Sequence, residues 1–93
     1  MPAVEIYTIR FCPYCSAARA LLKRRGIVFR EIDIAANWER RDEMIRRAKG
    51  CATLPQIFCG DLHIGGITEL RILDASGRLD QILGSHDRPT FGA

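Results

Sequence analysis

The chain has 93 residues, 47% of them hydrophobic and 27% charged, with a formal net charge of +3. That is one domain, able to build a modest core without obligatory disulfide or metal staples. No apolar run approaches the ~18 residues of a membrane-spanning helix. The bases Arg40, Arg41, Arg46, Arg47 and Lys49 alternate with Glu39, Asp42 and Glu43, the pattern of solvated helix faces and not of a nucleic-acid surface. Glu5 falls in a strand pattern where a secretory leader would be basic and then apolar. The expectation is a cytoplasmic protein with neither nucleic-acid nor membrane partners, in whose reducing compartment the four cysteines are reactive or incidental and not a disulfide framework.

Residues 4–9 alternate through β-branched and aromatic types and predict a first strand. Cys12-Pro13-Tyr14-Cys15 follows. Pro13 suits a first helical position, since its φ is preset and it lacks an N–H that would go unpaired there. Ala17, Ala18, Leu21 and Leu22 then recur at helical spacing until Gly26. Residues 27–34 read as a second strand, and a crossover of this length makes the two strands parallel. Asn37 is placed to cap a second helix with acids in its early turns, Arg46, Arg47 and Lys49 in its last, and Gly50 at its end. Trp38, Met44, Ile45 and Ala48 form its expected buried stripe. Gly60-Asp61 links two strand-like runs as an antiparallel hairpin containing His63, a histidine expected to be solvated or satisfied by neighbours and not catalytic. Gly65-Gly66 opens a third helix through Leu70 and Leu73, and Ser76-Gly77 breaks it before a short helix carrying Leu79, Ile82 and Leu83. The domain is expected to span residues 1–84, with 85–93 a loosely ordered tail.

The chemistry sits where strand gives way to helix. A thiol titrates near ~8.5, yet the thiolate is the nucleophile. Unpaired N–H groups at a helix N-terminus stabilise an anion by up to ~2 kcal/mol in a partly buried geometry, so Cys12 should titrate below an ordinary thiol. Arg10, the N–H of Tyr14, and the N–H or S–H of Cys15 are the further candidates. Zinc would need a second close pair of ligands, and Cys51, Cys59, His63 and His86 are too dispersed to supply one. A permanent Cys12–Cys15 disulfide would close too small a loop to stabilise much. Redox cycling is the better use of the pair.

The order β-α-β-α-β-β-α, with Cys12-Pro13-Tyr14-Cys15, Thr53-Leu54-Pro55 and Gly65-Gly66 in register, resembles the glutaredoxin family, in particular its short dithiol bacterial members. The absence of Trp-Cys-Gly-Pro-Cys argues against thioredoxin proper. The resemblance implies an α/β, thioredoxin-like fold: a four-stranded mixed sheet flanked by helices. It implies a monomeric, glutathione-dependent thiol-disulfide oxidoreductase that reduces protein disulfides and glutathione mixed disulfides, with glutathione as co-substrate, no metal, and a place in electron transport and cell redox homeostasis. Cys12 would be the nucleophile and Cys15 the resolving thiol. Tyr14, Thr53, Leu54, Pro55, Gly66, Ile67 and Thr68 would hold glutathione, with Leu54 offering backbone groups to its cysteinyl part across a cis Pro55 that residue statistics alone would make trans. The helix after Gly66 would receive its γ-glutamyl carboxylate.

Two positions depart from the family. Its usual Lys or Arg three residues before the nucleophile is Ile9, leaving Arg10 as the nearest base. Its frequent Asp two residues after the glycine pair is Thr68, followed by Glu69. Either Arg10 and Glu69 rebuild the contacts or glutathione binds less tightly. Two other readings belong to different classes: an iron–sulfur cluster bridging two subunits, which the proline of the active-site motif disfavours, and an electron donor dedicated to one partner reductase.

Overall fold

In the computed structural model, which describes residues 3–84, the elements run β1 (Val4–Thr8), α1 (Pro13–Arg24), β2 (Phe29–Asp33), α2 (Glu39–Arg47), β3 (Gln56–Cys59), β4 (Leu62–Gly65) and α3 (Ile67–Ala75), followed by one π-helical turn (Asp80–Gly84). The strands form one mixed sheet in the order β2-β1-β3-β4. β1 pairs parallel with β2, and β3 pairs antiparallel with both β1 and β4. This is the thioredoxin-like architecture expected from the sequence. The expected tail 85–93 lies outside the described residues.

Strand alternation sends side chains to two cores. Val4, Ile6, Ile57 and Cys59 meet Ala18, Leu21 and Leu22 of α1 and Leu70 of α3 on one face, joined by Leu79 and Leu83. Tyr7, Ile32 and Phe58 meet Met44 and Ala48 from the α2 segment on the other. Helices therefore cover both faces, and the end of the sheet where β1 runs into α1 stays open.

The second helix departs from expectation in three ways. Trp38 is 61% exposed, with the Arg41 guanidinium 5.1 Å above its ring. Six residues before Met44, it lies about 120° around the helix from the buried stripe. Asn37 does not cap the helix by its side chain: Trp38 already has helical dihedrals and no side-chain cap bond forms, while the Asn37 carbonyl accepts from the Arg40 N–H at 3.0 Å. Arg47 is not on a solvated face. It lies about 60° from Met44, and its guanidinium donates to Glu5 and to the Tyr7 hydroxyl at 2.8 Å and to the Gly60 carbonyl at 3.0 Å, 4.2 Å above the Phe58 ring. Tyr7 in turn donates to Glu43, which also accepts from Arg40. β2 begins at Phe29, two residues later than expected, and Val28 is 72% exposed.

Candidate active site

Between β1 and α1 the chain turns sharply. Phe11 adopts φ +62°, a left-handed conformation unfavourable for a side chain with a Cβ, and is 95% exposed. Cys12 follows in an extended conformation as the N-cap of α1, with Pro13 beginning the helix. The Cys12 Sγ accepts from the Cys15 N–H at 3.4 Å. The thiolate thus takes the capping role that a Ser or Asp oxygen usually fills.

The two thiols are driven apart. Burial pushes Cys12 up, but the Cys15 thiol, the N–H groups of Cys15 and Tyr14, and the Arg19 charge together outweigh it and leave Cys12 below the ordinary thiol value. Cys15 has no exposed surface. Burial first, then its hydrogen bond to Cys12 and the Cys12 charge, push it up to about 11, against the opposing effects of the Ile9 backbone and Arg19. The thiolate is therefore concentrated on the more accessible sulfur. Both cysteines are free thiols, as are Cys51 and Cys59.

Among the bases, the charge named with the main causes that lower Cys12 is that of Arg19; the sequence candidate Arg10 is exposed and is not among them. Seven residues past Cys12, Arg19 lies two turns on along the same helix face. It is braced by Glu31 at 2.8 Å and by Ser16 at 3.0 Å. Glu31 also accepts from the buried Thr8 hydroxyl at 2.7 Å. That spacing was legible in the sequence, whereas the brace from β2 was not.

Beside the dithiol opens a cleft of ≈ 670 Å³. Of the residues picked from sequence, Tyr14, Thr53, Leu54, Pro55, Gly66, Ile67 and Thr68 line it, and Arg10 does not. Cys12 is not in its wall but two residues before Tyr14. The Leu54–Pro55 bond is cis. The Leu54 N–H and C=O make no hydrogen bond among the described residues. Ile9 is half-buried against the second core, so no charge replaces the one the family often carries there. Glu69, offered from sequence with Arg10 as a replacement contact, lines the cleft, and the cleft also draws in Cys51, Gln56, His63 and Arg71, which sequence reasoning had not placed there.

The glycine pair is explained by close approach. A Cβ on Gly65, whose φ is +119°, would stand 2.8 Å from the Glu69 side chain, and one on Gly66 would stand 3.2 Å from the Pro55 carbonyl. Gly66 thus lets the α3 N-terminus lie close against the Pro55 carbonyl, while Gly65 supplies the positive φ of the turn and leaves room for the Glu69 side chain. The Glu69 Oε1 accepts from the Gly66 N–H at 2.7 Å, which caps the helix and commits that carboxylate. Among the described residues no group of three or more His, Cys, Asp or Glu side chains converges in a way that could hold a metal, and no helix is long and apolar enough to cross a membrane.

Residues 4–64 match the family model described as Glutaredoxin. The chain is 51% identical over 83 residues to Glutaredoxin 3 of Escherichia coli, an alignment covering 89% of this chain and 99% of that protein. The solution structure of glutaredoxin from Brucella melitensis superposes with a TM-score of 0.78 at 46% identity, covering 96% of each chain. A crystal structure of a buckwheat glutaredoxin-glutathione complex shares the fold at a TM-score of 0.81 and 22% identity, covering 90% of this chain and 78% of that one. With the strand-turn-helix that poises Cys12 over a buried Cys15, and with identity running across most of its length, the chain belongs to the glutaredoxin family of thiol-disulfide oxidoreductases.

Proposed function

We propose that this protein uses glutathione to reduce protein disulfides and glutathione mixed disulfides, with Cys12 as nucleophile and Cys15 as resolving thiol. The observation that carries this reading is the opposed titration of the two thiols, Cys12 lowered and Cys15 raised, beside a cleft with unpaired backbone groups. A lone reactive cysteine would need only the first of those shifts.

With a glutathione mixed disulfide, the Cys12 thiolate attacks the glutathionyl sulfur. The S–S bond breaks, the substrate protein leaves as a thiolate that is then protonated, and Cys12 carries glutathione. A second glutathione thiolate attacks that adduct, which forms oxidised glutathione and regenerates the Cys12 thiolate. With a protein disulfide, the Cys12 thiolate attacks one substrate sulfur and the substrate S–S bond breaks. The other substrate sulfur leaves as a thiolate that is protonated, and Cys12 carries a mixed disulfide. Its negative charge is then gone, and with it two of the causes that hold Cys15 protonated. Cys15 loses its proton to solvent and attacks the Cys12 sulfur, and the substrate leaves as a second thiolate that is protonated. Two glutathione molecules then reduce the Cys12–Cys15 disulfide and depart as oxidised glutathione.

The groove proposed for glutathione runs from Tyr14 along Thr53, Leu54 and Pro55 to the N-terminus of α3. The Leu54 N–H and C=O are available to pair with the cysteinyl residue. Glu69 occupies the Gly66 N–H, so the N–H groups left to face a γ-glutamyl carboxylate are those of Ile67 and Thr68 in the first helical turn. The committed Glu69 carboxylate and the uncharged Thr68 make recognition of the γ-glutamyl ammonium weaker than an Asp would. Arg10, exposed and outside the cleft, is assigned at most a long-range attraction for glutathione carboxylates. Such chemistry belongs in a reducing, cytoplasmic compartment where glutathione is abundant, with a monomer acting on glutathionylated or disulfide-bearing proteins.

The test is a glutathione-coupled assay on Cys12→Ser and Cys15→Ser. Cys12→Ser should lose all activity, and Cys15→Ser should keep deglutathionylation while losing most protein-disulfide reduction. Equal loss of deglutathionylation in both variants would refute the division of labour.

A further inference from the structure

We propose that Gln56 and His63 are positioning residues that aim the Leu54 N–H into the glutathione groove, a role resting on the groove assignment made above. Gln56 is the first residue of β3, directly after the cis Pro55, and only 3% of its surface is exposed. Every polar atom of its side chain is engaged. Nε2 donates to the Thr53 carbonyl and to the Thr53 hydroxyl, each at 3.0 Å. Oε1 lies 2.6 Å from His63 Nε2. Both amide N–H bonds are committed and the side chain is almost fully buried, so its main influence on the groove passes through Thr53.

The orientation of this amide follows from chemistry. A backbone carbonyl only accepts, so the amide nitrogen must face Thr53 and the amide oxygen must face His63. The His63 Nε2 must then carry a hydrogen. Either the neutral ring protonated at Nε2 or the doubly protonated ring satisfies this, so the link does not depend on the charge of the imidazole. The ring is itself held: His63 on β4 is the register partner of Phe58 on β3, and the two rings stack at 4.9 Å and 24°. Phe58 belongs to the second core. The chain of contacts therefore starts in rigid sheet and ends on an exposed loop.

That loop is where it acts. The Thr53 C=O and the Leu54 N–H share one planar trans peptide, in which they point in opposite directions. Fixing the carbonyl onto Gln56 fixes the N–H pointing away from it, toward the side left open for a ligand. Without Gln56 this peptide plane is held only by the chain on either side, and binding must then also supply the cost of ordering it. Thr53 is itself exposed, so burial alone does not immobilise it.

The experiment compares one peptide carrying either a glutathione or a cysteine mixed disulfide, assayed with wild type, Gln56→Met and His63→Phe. A wild type that prefers the glutathionylated form supports the groove, and a wild type indifferent between the two overturns the groove reading. In Gln56→Met, kcat/KM for the glutathionylated peptide should fall about tenfold, carried by KM with kcat within about twofold, while the cysteinylated peptide changes little. Alkylation of Cys12 should proceed at the wild-type rate. His63→Phe keeps the stack on Phe58 and removes only the donor to Gln56, so it should show a smaller KM effect, about threefold, and add nothing to Gln56→Met in the double variant. An unchanged preference in Gln56→Met, or a parallel fall for both peptides with slowed alkylation, overturns the positioning role. Should Gln56→Met not fold, His63→Phe decides by the same preference ratio.

Discussion

Among the described residues, two clusters of perturbed ionisable groups lie on opposite sides of the same sheet. At the open end, burial opposes and hydrogen bonds favour a lowered Cys12, while burial raises Cys15. Against α2, burial and the hydrogen bond to Glu43 raise Tyr7, and the hydrogen bond from Tyr7 and the Arg40 and Arg47 charges lower Glu43. A search for displaced titration would flag both. They differ in what is left over. Around Tyr7 each group is matched by partners: Arg47 reaches Glu5, Tyr7 and Gly60, and Glu43 takes Tyr7 and Arg40. At the dithiol the lowered group is partly accessible, its partner is a second thiol, the one proposed to resolve its mixed disulfide, and unpaired backbone lies beside it. A perturbed pKa points to a functional site when a perturbed group beside it still has reactive surface, as Cys12 does, and to scaffold when every group is matched, as around Tyr7.

The comparison breaks first at Arg47. If the α2 cluster is scaffold, Arg47→Met removes the cation between Glu5 and Glu43 and leaves Tyr7 short of a donor. Its side chain is 28% exposed, so solvent relieves part of the loss. The expected destabilisation is about 2–3 kcal/mol, below the range for a fully buried pair. Denaturant unfolding measures it, and Cys12 alkylation on the folded variant should match wild type. A changed alkylation rate with intact stability would make the α2 cluster part of the redox site.

How much of this was legible in the sequence depended on whether the signal was local. The strand-turn-helix around Cys12, the hairpin at Gly60-Asp61 and the glycine pair were readable because propensity, turn chemistry and capping act over a few residues. The cis Leu54–Pro55 bond was legible only through family resemblance, since residue statistics favour trans. Trp38 was misjudged because an aromatic at a helix start reads as core until the phase of the stripe is fixed by Met44 and Ala48. Arg47 was misjudged because a cation in a last turn fits the helix dipole, and nothing local reveals that Glu5 and Tyr7 lie across from it. The path from His63 through Gln56 to Thr53 depends on strand register, which a single chain does not print.

A second contrast concerns the backbone. The side chains of the α2 cluster come from β1 and α2, and the left-handed Lys49 (φ +56°) lies two residues beyond Arg47, whereas the approach to Cys12 itself passes through Phe11 at φ +62°, exposed and outside both cores. A left-handed residue with an ordinary side chain costs roughly 1–2 kcal/mol, and Asn tolerates that region better. Phe11→Asn should therefore stabilise the fold by about 1 kcal/mol and raise Tm by about 4–8 °C in a domain of this size. Thermal unfolding of the reduced protein reads it directly. A lower Tm would mean that the Phe11 ring is held by contacts its exposure does not reveal, and the redox end would then be no less relaxed than the other.

The smallest effect separates two arginines. Arg19 is among the causes that lower Cys12 and is braced by Glu31, while Arg10, two residues before Cys12, is not among the main ones. Its side chain is 29% exposed, so screening limits the charge to the ~0.2–1 kcal/mol of a surface pair. Removing the cation disfavours the thiolate, so Arg19→Met must raise the Cys12 titration. At a pH below that titration, where rate follows the thiolate fraction, alkylation should slow about two- to threefold. Above it, wild type and variant converge. Arg10→Met should leave the profile in place. In ~1 M salt, where charges more than ~3 Å apart are screened, the Arg19 effect should largely vanish. If the two variants shift the profile equally, the charge at Cys12 is a diffuse property of this end of the chain and not the work of one arginine held in place from β2.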